Sequence, residues 1–116
     1  MDAEQLLRRF ALNDEKAVGA AVGGRPLAAA DGCALDAKTA ALVRLAALLS
    51  VGAPTTSCRV VVERARAAGA SDDEIVGVLV AVAPAVGAAR VVGAAPRLAL
   101  AIDYDVADIV NAYDDL

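Results

Sequence analysis

Not one of the 116 residues is histidine or tryptophan, and the chain has only two cysteines, two tyrosines and one phenylalanine. Each shortage removes a class of chemistry. Imidazole is the one side chain that ordinarily titrates near neutrality, and it is the commonest metal ligand. Without it no Ser-His-Asp or Cys-His relay can be assembled within one chain. The histidine-containing zinc sites go with it, and Cys33 and Cys58 fall short of the four thiolates of a structural zinc site. Those cysteines stand 25 positions apart with no Cys-x-x-Cys between them, so they offer no redox motif. Neither a metal nor a cofactor is expected.

The scarcity of aromatics shapes the core. Hydrophobic residues make up 59% of the chain and aromatics 3%, so the interior must be built from Ala, Val and Leu. Small side chains bury little area each, and a single domain of this length gains from burying surface against copies of itself. A net charge of -4 argues against nucleic acid, whose affinity rests on clustered Lys and Arg. A membrane span is not expected either. The apolar run from Ile75 to Ala89 is 15 residues long, ends at Arg90, and is followed by Gly93 and Pro96; a crossing helix needs about 20 residues. Met1-Asp2-Ala3-Glu4-Gln5 lacks the basic-then-apolar order of a signal peptide. The expected location is therefore the cytoplasm, with both cysteines reduced.

Every valine-rich run lies between helix caps and among alanines, which predicts an all-α fold. Asp2 is placed to cap a short amphipathic helix to Leu12, and Asn13 or Asp14 a second through Ala21, stopped by Gly23 and Gly24. Arg25-Pro26-Leu27 reads as extended and Asp31-Gly32 as a turn. Asp36 precedes an almost wholly apolar helix, Ala37 to Val51, whose few polar residues share no single face, so protein is expected around most of it. After Gly52-Ala53, Pro54 suits the first position of a helix that runs to Ala68 and stops at Gly69. Ser71 and Glu74 form a capping box, with Asp72 and Asp73 in the favourable first turn. That helix is expected to reach Val82, with others from Pro84 to Ala95, from Pro96 to Ile102, and from Val106 to Tyr113.

Leu35-Asp36-Ala37-Lys38-Thr39, the apolar helix ending at Gly52-Ala53, and Ala68-Gly69-Ala70-Ser71-Asp72-Asp73-Glu74-Ile75 together resemble the carboxymuconolactone decarboxylase family, which includes the AhpD-like alkylhydroperoxidases. The resemblance covers about residues 35–102. It implies an AhpD-like helical bundle in residues 31–116, preceded by an N-terminal helical extension in residues 1–30, and assembly into trimers or hexamers. It also implies a dithiol at the start of the second hairpin helix, a histidine about four residues later and a glutamate in the preceding helix. Here the dithiol region reads Ala53-Pro54-Thr55-Thr56-Ser57-Cys58, the histidine position falls among Val60, Val61 and Val62, and the glutamate position falls within Ala41-Leu42-Val43-Arg44. Decarboxylase-type members lack the dithiol but also rely on a histidine in this helix.

Three residues remain as candidate site residues, each with a plainer alternative. Cys58 could be a lone peroxidatic thiol at a helix N-terminus beside Arg59, or a small buried hydrophobe. Arg44 could hold a small carboxylate ligand, or be a buried or interface arginine paired with an acid such as Glu63. Glu63 could act as a general base, or form a solvated ion pair with a neighbouring arginine. Tyr104, between Asp103 and Asp105, reads as a residue packing on helix ends. The favoured expectation is a divergent family member without dithiol peroxidase activity, acting as an oligomeric binding or assembly protein. The alternatives are a lyase or isomerase on a small carboxylated lactone or acid, using Arg44 and Glu63, and a one-cysteine peroxidase using Cys58.

Overall fold

The computed structural model describes residues 2–24 and 34–104. Among these residues the fold is all-α, as the sequence predicts, with six α-helices and no strand. The chain divides into two units, residues 1–36 and 37–116.

The first unit carries α1 (Ala3–Ala11) and α2 (Glu15–Val22), which pack on each other. Asp2 caps α1 through a reciprocal box in which Gln5 N–H donates to the Asp2 carboxylate at 2.8 Å and Asp2 N–H donates to the Gln5 side chain at 3.2 Å. Of the two residues suited to cap α2, Asp14 does so, accepting from Lys16 N–H at 3.0 Å. Asn13 instead takes the left-handed conformation that turns the chain between the helices.

The second unit is a four-helix arrangement of α3 (Ala37–Ser50), α4 (Thr55–Ala67), α5 (Asp72–Val86) and α6 (Ala88–Ala101). α3 and α4 form the hairpin expected around Gly52-Ala53-Pro54; α5 lies against α3, and α6 packs on both α4 and α5. Gly52 adopts φ +74, a conformation costly for any residue with a Cβ, which lets the chain reverse within one short turn. The core is one stripe from each helix. α3 supplies Ala41, Leu45 and Leu49 at four-residue spacing, α4 supplies Cys58, Val61, Val62 and Ala65, α5 supplies Ile75 and Val78, and α6 closes it with Ala94, Leu98 and Ala101. No polar or charged residue is buried among the described residues.

Three expectations need correction. Pro54 is the N-cap of α4 rather than its first helical residue, with the extended ψ of 159° usual at a cap. The Pro84 and Pro96 breaks do not occur: α5 runs through Pro84 and α6 through Pro96, and the chain breaks instead at Gly87, with φ +85. A proline inside a helix deprives the carbonyl four residues earlier of its donor. Those positions are Val80 and Val92, both on exposed faces where water can serve the freed carbonyl, so each helix continues. Thirdly, α3 is not enclosed within one chain, since Val43, Arg44 and Ala47 are exposed beside its buried stripe. The Arg25–Leu27 segment, the Asp31-Gly32 turn and the Val106–Tyr113 helix lie outside the described residues.

Candidate functional site

The start of α4 is where thiol chemistry would have to reside. Cys58 occupies its first full turn, and that turn has no side-chain cap because Pro54 has no side-chain acceptor to offer. The position would favour a thiolate if the sulfur faced solvent. It faces inward instead. Cys58 is 0% exposed, and Sγ has the Ala53 carbonyl oxygen as its hydrogen-bond partner at a long 4.0 Å. Burial pushes the thiol up from its ordinary range, and the positive charge of Arg97 opposes that shift more weakly. Two residues beyond Cys58, Val60 is on the surface, while Val61 and Val62 complete the core around the sulfur. None of the three side chains can accept or donate a proton. The other thiol, Cys33, lies outside the described residues.

Arg44 and Glu63 are both exposed. Arg44 projects from α3 and forms no ion pair or hydrogen bond among the described residues. The pairing of Arg44 with Glu63 is therefore not observed: Glu63 pairs along its own helix with Arg66 at 3.4 Å, three residues on, where helical geometry brings side chains together. Of the expectation of a buried or interface arginine, burial within one chain does not hold, because Arg44 is one position off the Ala41–Leu45–Leu49 stripe, which turns it outward. Arg59, the cation next to Cys58 in sequence, reaches along the bundle to donate to the Leu100 carbonyl at 2.7 Å. Neither of two grooves formed by the described residues has Arg44, Cys58 or Glu63 in its lining. One shallow groove, of about 280 Å³, is lined by Val76, Ala95, Leu98, Ala99, Ile102 and Tyr104. A second, of about 210 Å³, lies between α3 and α5 with Leu42, Val43, Ala46, Val78 and Val82 on its walls.

The polar structure of the second unit gathers at one end. Arg66 donates to Asp72 at 3.0 Å and to the Ile102 carbonyl at 3.1 Å, tying the end of α4 to the start of α5 and the end of α6. The hydrogen bond to Asp72 holds the guanidinium proton more tightly than usual. The Tyr104 hydroxyl donates to the other Asp72 oxygen at 3.4 Å, in keeping with its expected place at the helix ends. Lys38 and Glu74 pair at 3.0 Å nearby.

At the other end two arginines escaped the sequence reasoning. Arg90 and Arg97 both approach Gly52 in the α3–α4 turn, and the Nε of Arg97 is buried without an acceptor. Their spacing of seven residues on α6 puts them on one helix face, and that was the available signal. Among the described residues no group of three or more His, Cys, Asp or Glu side chains could hold a metal ion, and no helix is long and apolar enough to cross a membrane.

The chain belongs to the carboxymuconolactone decarboxylase family, whose family model matches residues 18–100. No curated protein and no solved structure matches it.

Proposed function

We propose that this family member has given up dithiol peroxidase chemistry and acts as an oligomeric binding or assembly protein. The observation that carries the reading is the state of α4. The helix on which the family resemblance would put thiols and a histidine contributes Cys58, Val61 and Val62 to a closed apolar core. A thiol that is covered, pushed toward its protonated form and surrounded by valine has neither access to peroxide nor a base to activate it.

Exposed apolar surface supports the assembly part. Val43, Val60, Val80 and Val92 are each more than half exposed, and the groove between α3 and α5 is walled by hydrocarbon. Exposed apolar side chains beside an apolar groove are a reason to expect a contact site. A trimer or hexamer is expected ahead of a dimer. Light scattering coupled to size exclusion tests this, and the mass of an 11.6 kDa monomer at micromolar concentration would overturn it.

The alternatives have less support. A lyase or isomerase using Arg44 and Glu63 needs both to face one substrate, whereas Glu63 is engaged with Arg66. A one-cysteine peroxidase needs an accessible Cys58.

A further inference from the structure

The carboxylates among the described residues of the second unit are unevenly placed. Between residues 37 and 104 they are Glu63, Asp72, Asp73, Glu74 and Asp103. All five belong to the end of the bundle where α4 and α6 finish and α5 starts. α3 and α6 contain no acid at all, and the first eight residues of α4 contain none. Two cations lie at the opposite end. A methyl group placed on Gly52 would be 3.5 Å from Nη1 of Arg90 and 3.9 Å from Nη2 of Arg97. Among the described residues neither arginine has an ion pair or hydrogen bond.

Bringing two guanidinium groups to one backbone position is unfavourable without a counter-charge. Leaving the Arg97 Nε buried with no acceptor adds a desolvation cost. The C-terminal dipole of α3 is a partial counter-charge, but it satisfies none of the guanidinium N–H donors by hydrogen bonding. Gly52 has no side chain to fill the position that both guanidinium groups approach, and Arg90 is exposed to solvent.

The geometry points to a binding site for a small oxyanion, a carboxylate or a phosphate, held between Arg90 and Arg97 over Gly52. Planar guanidinium forks match such groups two oxygens at a time, which a lone point charge cannot do. The uncapped first turn of α4, three residues beyond Gly52, adds partial positive charge at the same end of the bundle. The site goes beyond the assembly reading and stands whether or not the chain associates.

Calorimetric titration of the full chain at constant ionic strength, with inorganic phosphate in one arm and succinate in the other, tests it. The expected result is saturable binding in at least one arm, and the arm that binds identifies the ligand class. Arg90→Gln and Arg97→Gln should each weaken binding about tenfold or more. Arg64→Gln, which removes an exposed arginine from the far end of α4, should leave it unchanged. If Arg97→Gln does not fold, Arg90→Gln decides the matter, because that side chain is exposed and its loss leaves the core intact. Absence of saturable binding in both arms overturns the site. So does equal weakening by Arg64→Gln and Arg90→Gln, which would reduce the effect to overall charge.

Discussion

The Cys58 thiol has the Ala53 carbonyl oxygen, 4.0 Å away in the preceding turn, as its hydrogen-bond partner, and the residue is wholly closed off from solvent. This cysteine therefore behaves as a core residue of its helix. In the native protein iodoacetamide should leave Cys58 unmodified at neutral pH over hours, while denaturant should expose it to complete alkylation; peptide mass spectrometry reads both.

The same burial makes a pH prediction. Burial raises the folded-state pKa of Cys58, so its contribution to stability is fully present below the unfolded-state pKa. It is lost as pH rises through the ordinary thiol range toward the raised folded value. Urea midpoints measured across the alkaline range should fall more steeply for the wild-type chain than for Cys58→Ala. At neutral pH Cys58→Ala should keep the fold at a cost of about 1–2 kcal/mol, from lost packing around a small side chain.

Ser71 and Glu74 hold the start of α5 by reciprocal bonds, each of 3.1 Å. Ser71→Ala should cost about 1 kcal/mol in chemical denaturation. The Glu74 carboxyl is held below its usual value by the Ser71 backbone N–H and then by Lys38. A depressed carboxylate stabilises above its unfolded-state pKa and loses that contribution as pH falls through the folded value. The stability of Glu74→Gln should accordingly depend less on pH than that of wild type on the acid side, and denaturation curves from pH 7 downward would reveal it.

Leu45 is 0% exposed at the middle of the α3 stripe, where the core is made largely of alanine and valine. Few large side chains are present to collapse into a vacancy. Leu45→Ala should therefore destabilise the chain by about 3 kcal/mol or more. A change below about 1 kcal/mol would mean that the four helices are not packed as described.

Local signals were legible in the sequence and longer-range ones were not. The Ser71–Glu74 box, the Asp2 cap and the glycine stops depend on residues within one turn of each other, and they appear where the pattern put them. Pro84 and Pro96 misled because the cost of an internal proline depends on whether the freed carbonyl is wet, which is decided by tertiary packing. The outward face of Arg44 and the pairing of Glu63 with Arg66 follow from which stripe of each helix is buried, and Arg44 lies one position from the core stripe. Arg90 and Arg97 acquire meaning only when α6 is laid beside the α3–α4 turn, some forty residues earlier in the chain.

Whether α4 has lost its thiol chemistry is measured most directly by peroxide-dependent consumption of a dithiol reductant, comparing wild type with Cys58→Ser and Cys33→Ser. All three proteins should run at the uncatalysed background rate, because the Cys58 sulfur is covered and no base faces it. Turnover well above background in the wild type, abolished by either substitution, would contradict the reading of Cys58 as part of the core.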